Sequence, residues 1–157
     1  MPSAAQLDKT QRYIALARTQ GARLVAGGSR PPGAAFERGY WVEPTVFADV
    51  RSDMRIAREE VFGPILSILE WNSDAEAIAI ANDVDLGLTS AVWTNDLKRA
   101  LWFAHRLEAG YVWINGSSAN YLGTPFAGRK SSGVGQEENM DELLSYTETK
   151  SIHFVAP

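Results

Sequence analysis

The stretch Leu88-Thr89-Ser90-Ala91-Val92-Trp93, followed by Asp96 to Glu108 and then by Tyr111-Val112-Trp113-Ile114, decides the fold class. Its first and last segments are short and rich in β-branched and aromatic residues, which suits strands. Between them Leu97, Ala100, Leu101, Ala104 and Leu107 recur at helical spacing, so this piece reads as a helix with one face toward a core. Gly110 ends this helix, where the chain can turn out. A strand, a helix and a second apolar strand favour parallel pairing through a right-handed crossover. The expectation is an α/β fold, an open and mostly parallel sheet flanked by helices.

Working back toward the amino terminus, Ile65 to Trp71 reads as a strand. Asp74 then caps a helix through Asn82 with Ala75, Ile78 and Ala79 on one face. Met54 to Glu60 forms a short helix that stops before Gly63-Pro64. Tyr40 to Phe47 is strand-like but bent by Pro44, and Ser29 to Gly39 is a Pro- and Gly-rich loop. Arg23 to Ala26 is a strand closed by Gly27-Gly28. Ser3 and Gln6 have the form of a capping box ahead of a helix carrying Leu7, Thr10, Ile14 and Ala17, ended by Gly21. Working forward, Gly116 to Gly135 is a long loop, Glu137 to Leu144 a short helix, and Tyr146 to Phe154 a final strand. The division expected is 1–144 as the body and 145–157 as a terminal strand that finishes a sheet or reaches another subunit.

The composition narrows function. A length of 157 residues suits one compact domain. A net charge of -4 weighs against a general phosphate-backbone binder. No apolar run reaches the roughly 20 residues that span a bilayer, and the start MPSAAQLDKTQ lacks a basic, hydrophobic leader, so a cytoplasmic protein is expected. The cysteine count is zero, which rules out disulfides, thiolate metal sites and thiol chemistry by these residues. With two histidines, His105 and His153, and no pairing pattern, no metal site is expected. No G-x-G-x-x-G or G-x-S-x-G occurs.

Certain segments, taken in order, carry a resemblance. They are Gly39-Tyr40-Trp41-Val42-Glu43-Pro44-Thr45, Glu59-Glu60-Val61-Phe62-Gly63-Pro64, Val112-Trp113-Ile114-Asn115, Pro125-Phe126-Ala127-Gly128, Lys130-Ser131-Ser132-Gly133 and Tyr146-Thr147-Glu148-Thr149-Lys150. The sequence resembles the NAD(P)-dependent aldehyde dehydrogenase superfamily, specifically the carboxy-terminal part of its catalytic domain plus the terminal oligomerisation strand. The resemblance implies that Glu60 accepts hydrogen bonds from the ribose beside the nicotinamide. It also implies that Phe62 walls that ribose and orients the ring, and that Gln6 and Lys9 approach the same side of the cofactor. By burial pattern alone Glu60 would be a solvated helix-end carboxylate and Phe62 a core ring. The resemblance places Phe126 in the substrate tunnel and Asn120, Tyr121 and Leu122 at its mouth. It gives Asn115 a structural role, and makes Tyr146, Glu148, Lys150, Ile152 and Phe154 an oligomer interface.

The family's nucleophilic Cys, its Glu base, the oxyanion-holding Asn and the Rossmann-type Gly-rich turn match nothing in these residues. The resemblance therefore implies an oxidoreductase that uses NAD or NADP in its complete form. The isolated chain would bind no cofactor, oxidise no aldehyde, and homo-oligomerise or complement an upstream half. The alternatives are a non-catalytic oligomerisation or regulatory module of the same fold, and an unrelated small α/β nucleotide-binding protein. Two departures stand out: Ala127 where the family usually has Gly, and Gln136 where it often has an Arg that pairs with the Glu at the position of Glu148.

Overall fold

The computed structural model describes Met1 to Ala156. It divides at Val84/Asp85 into two compact units where the length suggested one. The boundary expected at 144/145 lies within the second.

In the first unit, helix α1 (Ala4–Thr19) opens on Ser3, whose side chain accepts from the Gln6 amide. The capping box is only half made, because the Gln6 side chain reaches elsewhere. Thr10, Ile14 and Ala17 are buried at the expected spacing. The helix ends in a Schellman motif: Ala22 N–H bonds the Ala17 carbonyl and Gly21 N–H the Arg18 carbonyl, with Gly21 at φ 94°. Strand β1 (Arg23–Ala26) pairs antiparallel with β2 (Thr45–Ala48), and β2 pairs parallel with β3 (Ile65–Ser67). Between β2 and β3 lies the short helix α2 (Arg55–Arg58). The core is Ile14, Ala17, Ala22, Phe47, Val50, Met54 and Ile56, so α1 and α2 cover the face of the sheet that carries Phe47. Helix α3 (Asp74–Asn82) follows. Its N-cap is Ser73, which accepts from the Glu76 amide, rather than Asp74. Its half-buried residues include Ala77, Ile78 and Ile80, whereas Ala75 and Ala79 are exposed.

In the second unit, β4 (Leu86–Gly87) pairs antiparallel with β8 (Arg129–Lys130). Strand β5 (Thr89–Val92) pairs parallel with β6 (Tyr111–Ile114), and α4 (Leu97–Arg106) connects them. This is the strand–helix–strand unit read from the sequence, with Asp96 as the N-cap, accepting from the Arg99 amide. Ala100 is buried, but Leu97 and Leu101 are exposed, since a two-stranded parallel pair covers only part of the helix's apolar face. The Gly-rich segment also contains β7 (Phe126–Ala127), which pairs antiparallel with β9 (Gln136–Glu137), and α5 (Met140–Ser145) is capped by Asn139. The class is α/β, with mixed sheets flanked by helices; among the described residues parallel pairing is confined to β2–β3 and β5–β6.

From Thr147 to Ala156 the chain has no regular structure. A strand needs a hydrogen-bonding neighbour, and none of the described residues supplies one to this segment. The strand read from its alternation is therefore not formed within the single chain.

Candidate functional site

The turn Glu59–Pro64 follows α2, and its placement is over-determined. Val61 packs against the core cluster. Gly63 lies so close to α1 that a Cβ there would sit 2.8 Å from Thr10 Oγ1. Thr10 is fully buried and donates to the Gln6 carbonyl at 2.8 Å, so its hydroxyl cannot easily give way. From the same helix, Gln6 Nε2 donates to the Phe62 carbonyl at 2.7 Å and to that of Val61 at 3.4 Å. Lys9 Nζ donates to the Glu60 carbonyl at 3.0 Å. One helix face thus grips the carbonyls of consecutive turn residues.

The outward members of the turn are those the sequence singled out. Phe62 is 76% exposed and sits at φ 53°, in the left-handed region that a bulky residue enters only when its surroundings force it. Such strain, of order 1–3 kcal/mol, gathers at ligand sites. Leaving the ring in water also forgoes the roughly 1.5–3 kcal/mol that burying a Phe provides. Glu60 is exposed, and its carboxylate makes no hydrogen bond or ion pair among the described residues. Neither residue lies in a core, so the burial reading of Phe62 does not hold.

Glu59, its neighbour, is fully engaged. Arg55 grips it with Nε and Nη2 at 2.6 and 2.9 Å, and the Tyr13 hydroxyl donates to Oε2 at 2.7 Å. The Arg55 hydrogen bond foremost, then that of Tyr13, holds the Glu59 carboxyl below its ordinary range. Donation to Glu59 is in turn the main reason the Tyr13 hydroxyl is raised above its usual value. Sequence reasoning missed Tyr13 and Arg55, and read Thr10 only as part of the inward face of α1. The available signals were Tyr13 one turn beyond Lys9 on one helix face, and Arg55 four residues before Glu59. Lys9, Arg12, Tyr13, Leu16 and Arg55 line a surface hollow of about 590 Å³ beside the turn.

In the second unit the expected tunnel residues do not meet in one cavity. Phe126 lines a hollow of about 330 Å³ together with Ser132, Glu142 and Tyr146. Tyr121 lines another, of about 550 Å³, with Tyr111, Trp113 and Pro125. Asn120 is exposed and donates to Glu138 Oε1 at 3.4 Å. Asn115, at φ 54°, makes a reciprocal pair with the Thr94 backbone, both bonds 2.9 Å, which accounts for it structurally. The Ala127 carbonyl lies against Gly110, where a Cβ would meet it at 1.6 Å. Tyr146, Glu148, Lys150, Ile152 and Phe154 are all exposed. Among the described residues, no three His, Cys, Asp or Glu side chains gather in a way that could hold a metal ion, and no helix is long and apolar enough to cross a membrane.

Comparison with known proteins gives the family. The aldehyde dehydrogenase family profile matches residues 1–152. The aldehyde dehydrogenase tropH of Talaromyces stipitatus is 46% identical over 154 residues, covering 96% of this chain and 30% of that protein. Indole-3-acetaldehyde dehydrogenase of P. syringae, solved in complex with NAD+, superposes with a TM-score of 0.88 at 44% identity, over 96% of this chain and 30% of that one. The aldehyde dehydrogenase of Mycobacterium tuberculosis, also complexed with NAD+, gives 0.87 at 40% identity, over 93% and 30%. The chain belongs to the aldehyde dehydrogenase family, an oxidoreductase family. It spans about 30% of the length of these relatives. The family match removes the unrelated nucleotide-binding alternative.

Proposed function

We propose that this chain is the carboxy-terminal part of an NAD(P)-dependent aldehyde dehydrogenase catalytic domain and supplies the grip on the nicotinamide side of the cofactor. The observation that carries this reading is the Glu60–Phe62 pair. A carboxylate without a partner stands beside an exposed aromatic ring on strained backbone, both fixed by contacts to α1. These residues fit such a group: a charged acceptor suits a vicinal diol, and a flat apolar ring suits the wall of a sugar or heterocycle. Such a cofactor would supply the hydride acceptor for the reaction. The chain's own part is to hold and orient: Glu60 accepts from the ribose hydroxyls, Phe62 limits the swing of the ring, and Gln6 and Lys9 steady the turn beneath both.

No thiol exists among these residues. The family's acyl-holding step therefore needs a nucleophile from outside them, and the chain alone oxidises no aldehyde. In a complete assembly Phe126, Asn120 and Tyr121 contribute to the aldehyde path. Tyr146, Glu148, Lys150, Ile152 and Phe154 form a strand on another subunit's sheet edge, where their exposed apolar members become covered.

The test is a chimera in which residues 1–152 replace the matching part of the P. syringae enzyme. Glu60→Ala should weaken NAD+ binding by about tenfold to a hundredfold, the loss expected when hydrogen bonds to a charged group go. Unchanged affinity would overturn the cofactor role. A chimera that assembles normally yet never turns over would favour the alternative, a non-catalytic oligomerisation or regulatory module.

A further inference from the structure

We infer that Tyr13, Glu59 and Arg55 form a positioning network that locks the turn from Glu60 to Gly63, so that Glu60 and Phe62 are presented before any ligand arrives. The inference rests on the reading of Glu60 and Phe62 given above and adds residues that touch no cofactor. Glu59 is the hinge residue, because it is both the C-cap of α2 and the residue before the outward pair. Its carboxylate is tied from both sides: α2 supplies the two Arg55 bonds, and α1 supplies the Tyr13 hydroxyl. Tyr13 thereby bridges α1 and the turn 46 residues away in sequence.

The same α1 surface carries Gln6, Lys9 and Thr10, which hold the next carbonyls and Gly63. The turn is thus fastened at its start by charge-assisted bonds, in its middle by side-chain-to-carbonyl bonds, and at its end by close packing. Without the first fastening, the left-handed conformation of Phe62 has less to enforce it, and the backbone can relax toward ordinary regions. A pre-set turn matters for binding, because ordering it after encounter would weaken affinity.

The charged and titratable groups that face this network are few. Lys9 lies 6.0 Å from the centroid of the Tyr13 ring. Arg12, itself paired with Asp8, acts on the Tyr13 hydroxyl from the same helix, and Arg55 acts from α2. The Asp8 carboxylate pairs with Arg12 and the Glu60 carboxylate points outward, so among the carboxylates near the turn only that of Glu59 accepts the bonds from Arg55 and Tyr13. The lock should therefore open as Glu59 is protonated, below the usual carboxylate range.

Backbone ¹⁵N order parameters of the 157-residue chain test this, with no cofactor present. Glu60 to Gly63 should be about 0.85 at neutral pH and fall below about 0.6 on acidification, with Thr45 to Ala48 unchanged. Tyr13→Phe and Glu59→Gln should lower the turn values at neutral pH, and Glu59→Gln should abolish the pH dependence. Gln keeps the shape and one acceptor, so full rescue by it would mean a purely steric role and overturn the inference. Turn values that stay high in both variants, or that drop together with β2, would overturn it as well. Failure of the cofactor reading looks different: the chimera's NAD+ affinity would ignore Glu60→Ala while the order parameters still responded as described.

Discussion

Gly63 is packed against Thr10 with no room for a side chain: an added Cβ would lie 2.8 Å from Thr10 Oγ1 and 3.3 Å from Cγ2, but 3.6 Å from Cβ. Gly63→Ala must therefore displace either the turn or a buried hydroxyl. The expected loss is about 1–3 kcal/mol, the usual range for overpacking, read from denaturant unfolding. Thr10→Ala removes both crowding atoms and leaves an ordinary contact. The double variant should accordingly lose clearly less than the sum of the single losses. Simple additivity would show that the contact is slack.

Phe47 is fully buried at the centre of the first unit's core. Phe47→Ala should lower the stability of that unit by about 3–5 kcal/mol. Hydrogen exchange of the β1–β2 amides is the suitable readout. Little change there would mean that the cluster around Ile14 and Met54 holds the unit without it.

The pH dependence of stability follows from Glu59 and Tyr13. Folding lowers the Glu59 carboxyl, so the folded chain binds fewer protons than the unfolded one in that range. This contribution is complete above the usual carboxylate range and is lost as pH falls through the depressed value. Folding raises the Tyr13 hydroxyl, so its contribution is complete below its ordinary 10.0 and disappears as pH rises through the raised value. Unfolding midpoints against pH should show a smaller acid slope in Glu59→Gln and a smaller alkaline slope in Tyr13→Phe. Slopes unaltered in both variants would contradict this linkage.

Ile152 and Phe154 are more than four-fifths exposed, at 83% and 84%, on a segment without strand partners inside the chain. Light scattering across concentrations should show self-association, and Ile152→Lys with Phe154→Lys should reduce it. Gln136 bonds Asn139 instead of anchoring the terminal segment. Gln136→Arg should strengthen the assembly by offering Glu148 a cation, and Glu148→Gln should cancel that gain. A chain that stays monomeric at high concentration would refute the interface.

Local rules made much of the fold legible. Ser3 and Gly21 set the ends of α1 through capping chemistry, and the β5–α4–β6 unit follows from apolar period alone. The sequence did not reveal which way short strands pair, because β1, β4 and β8 lack the length to carry a register signal. Leu97 and Leu101 read as core because helical spacing reports an apolar face and not whether anything covers it. At the site, Glu60 and Phe62 were legible only through family resemblance. Their support by Tyr13 and Arg55 depends on two helices meeting in space, which spacing along one of them cannot show. Gln6 illustrates the limit well: its place in a capping box was correct for the backbone, yet its side chain crosses to the Phe62 carbonyl.

We propose that these residues hold and orient a nicotinamide ribose and lack the thiol on which the family's acyl-holding step depends. The direct measurement is aldehyde-dependent NADH formation by the pure 157-residue chain at neutral pH, followed by absorbance. The expected result is no signal above the protein-free rate, with turnover only in the chimera that restores a cysteine. Sustained NADH formation by the chain alone would contradict the claim.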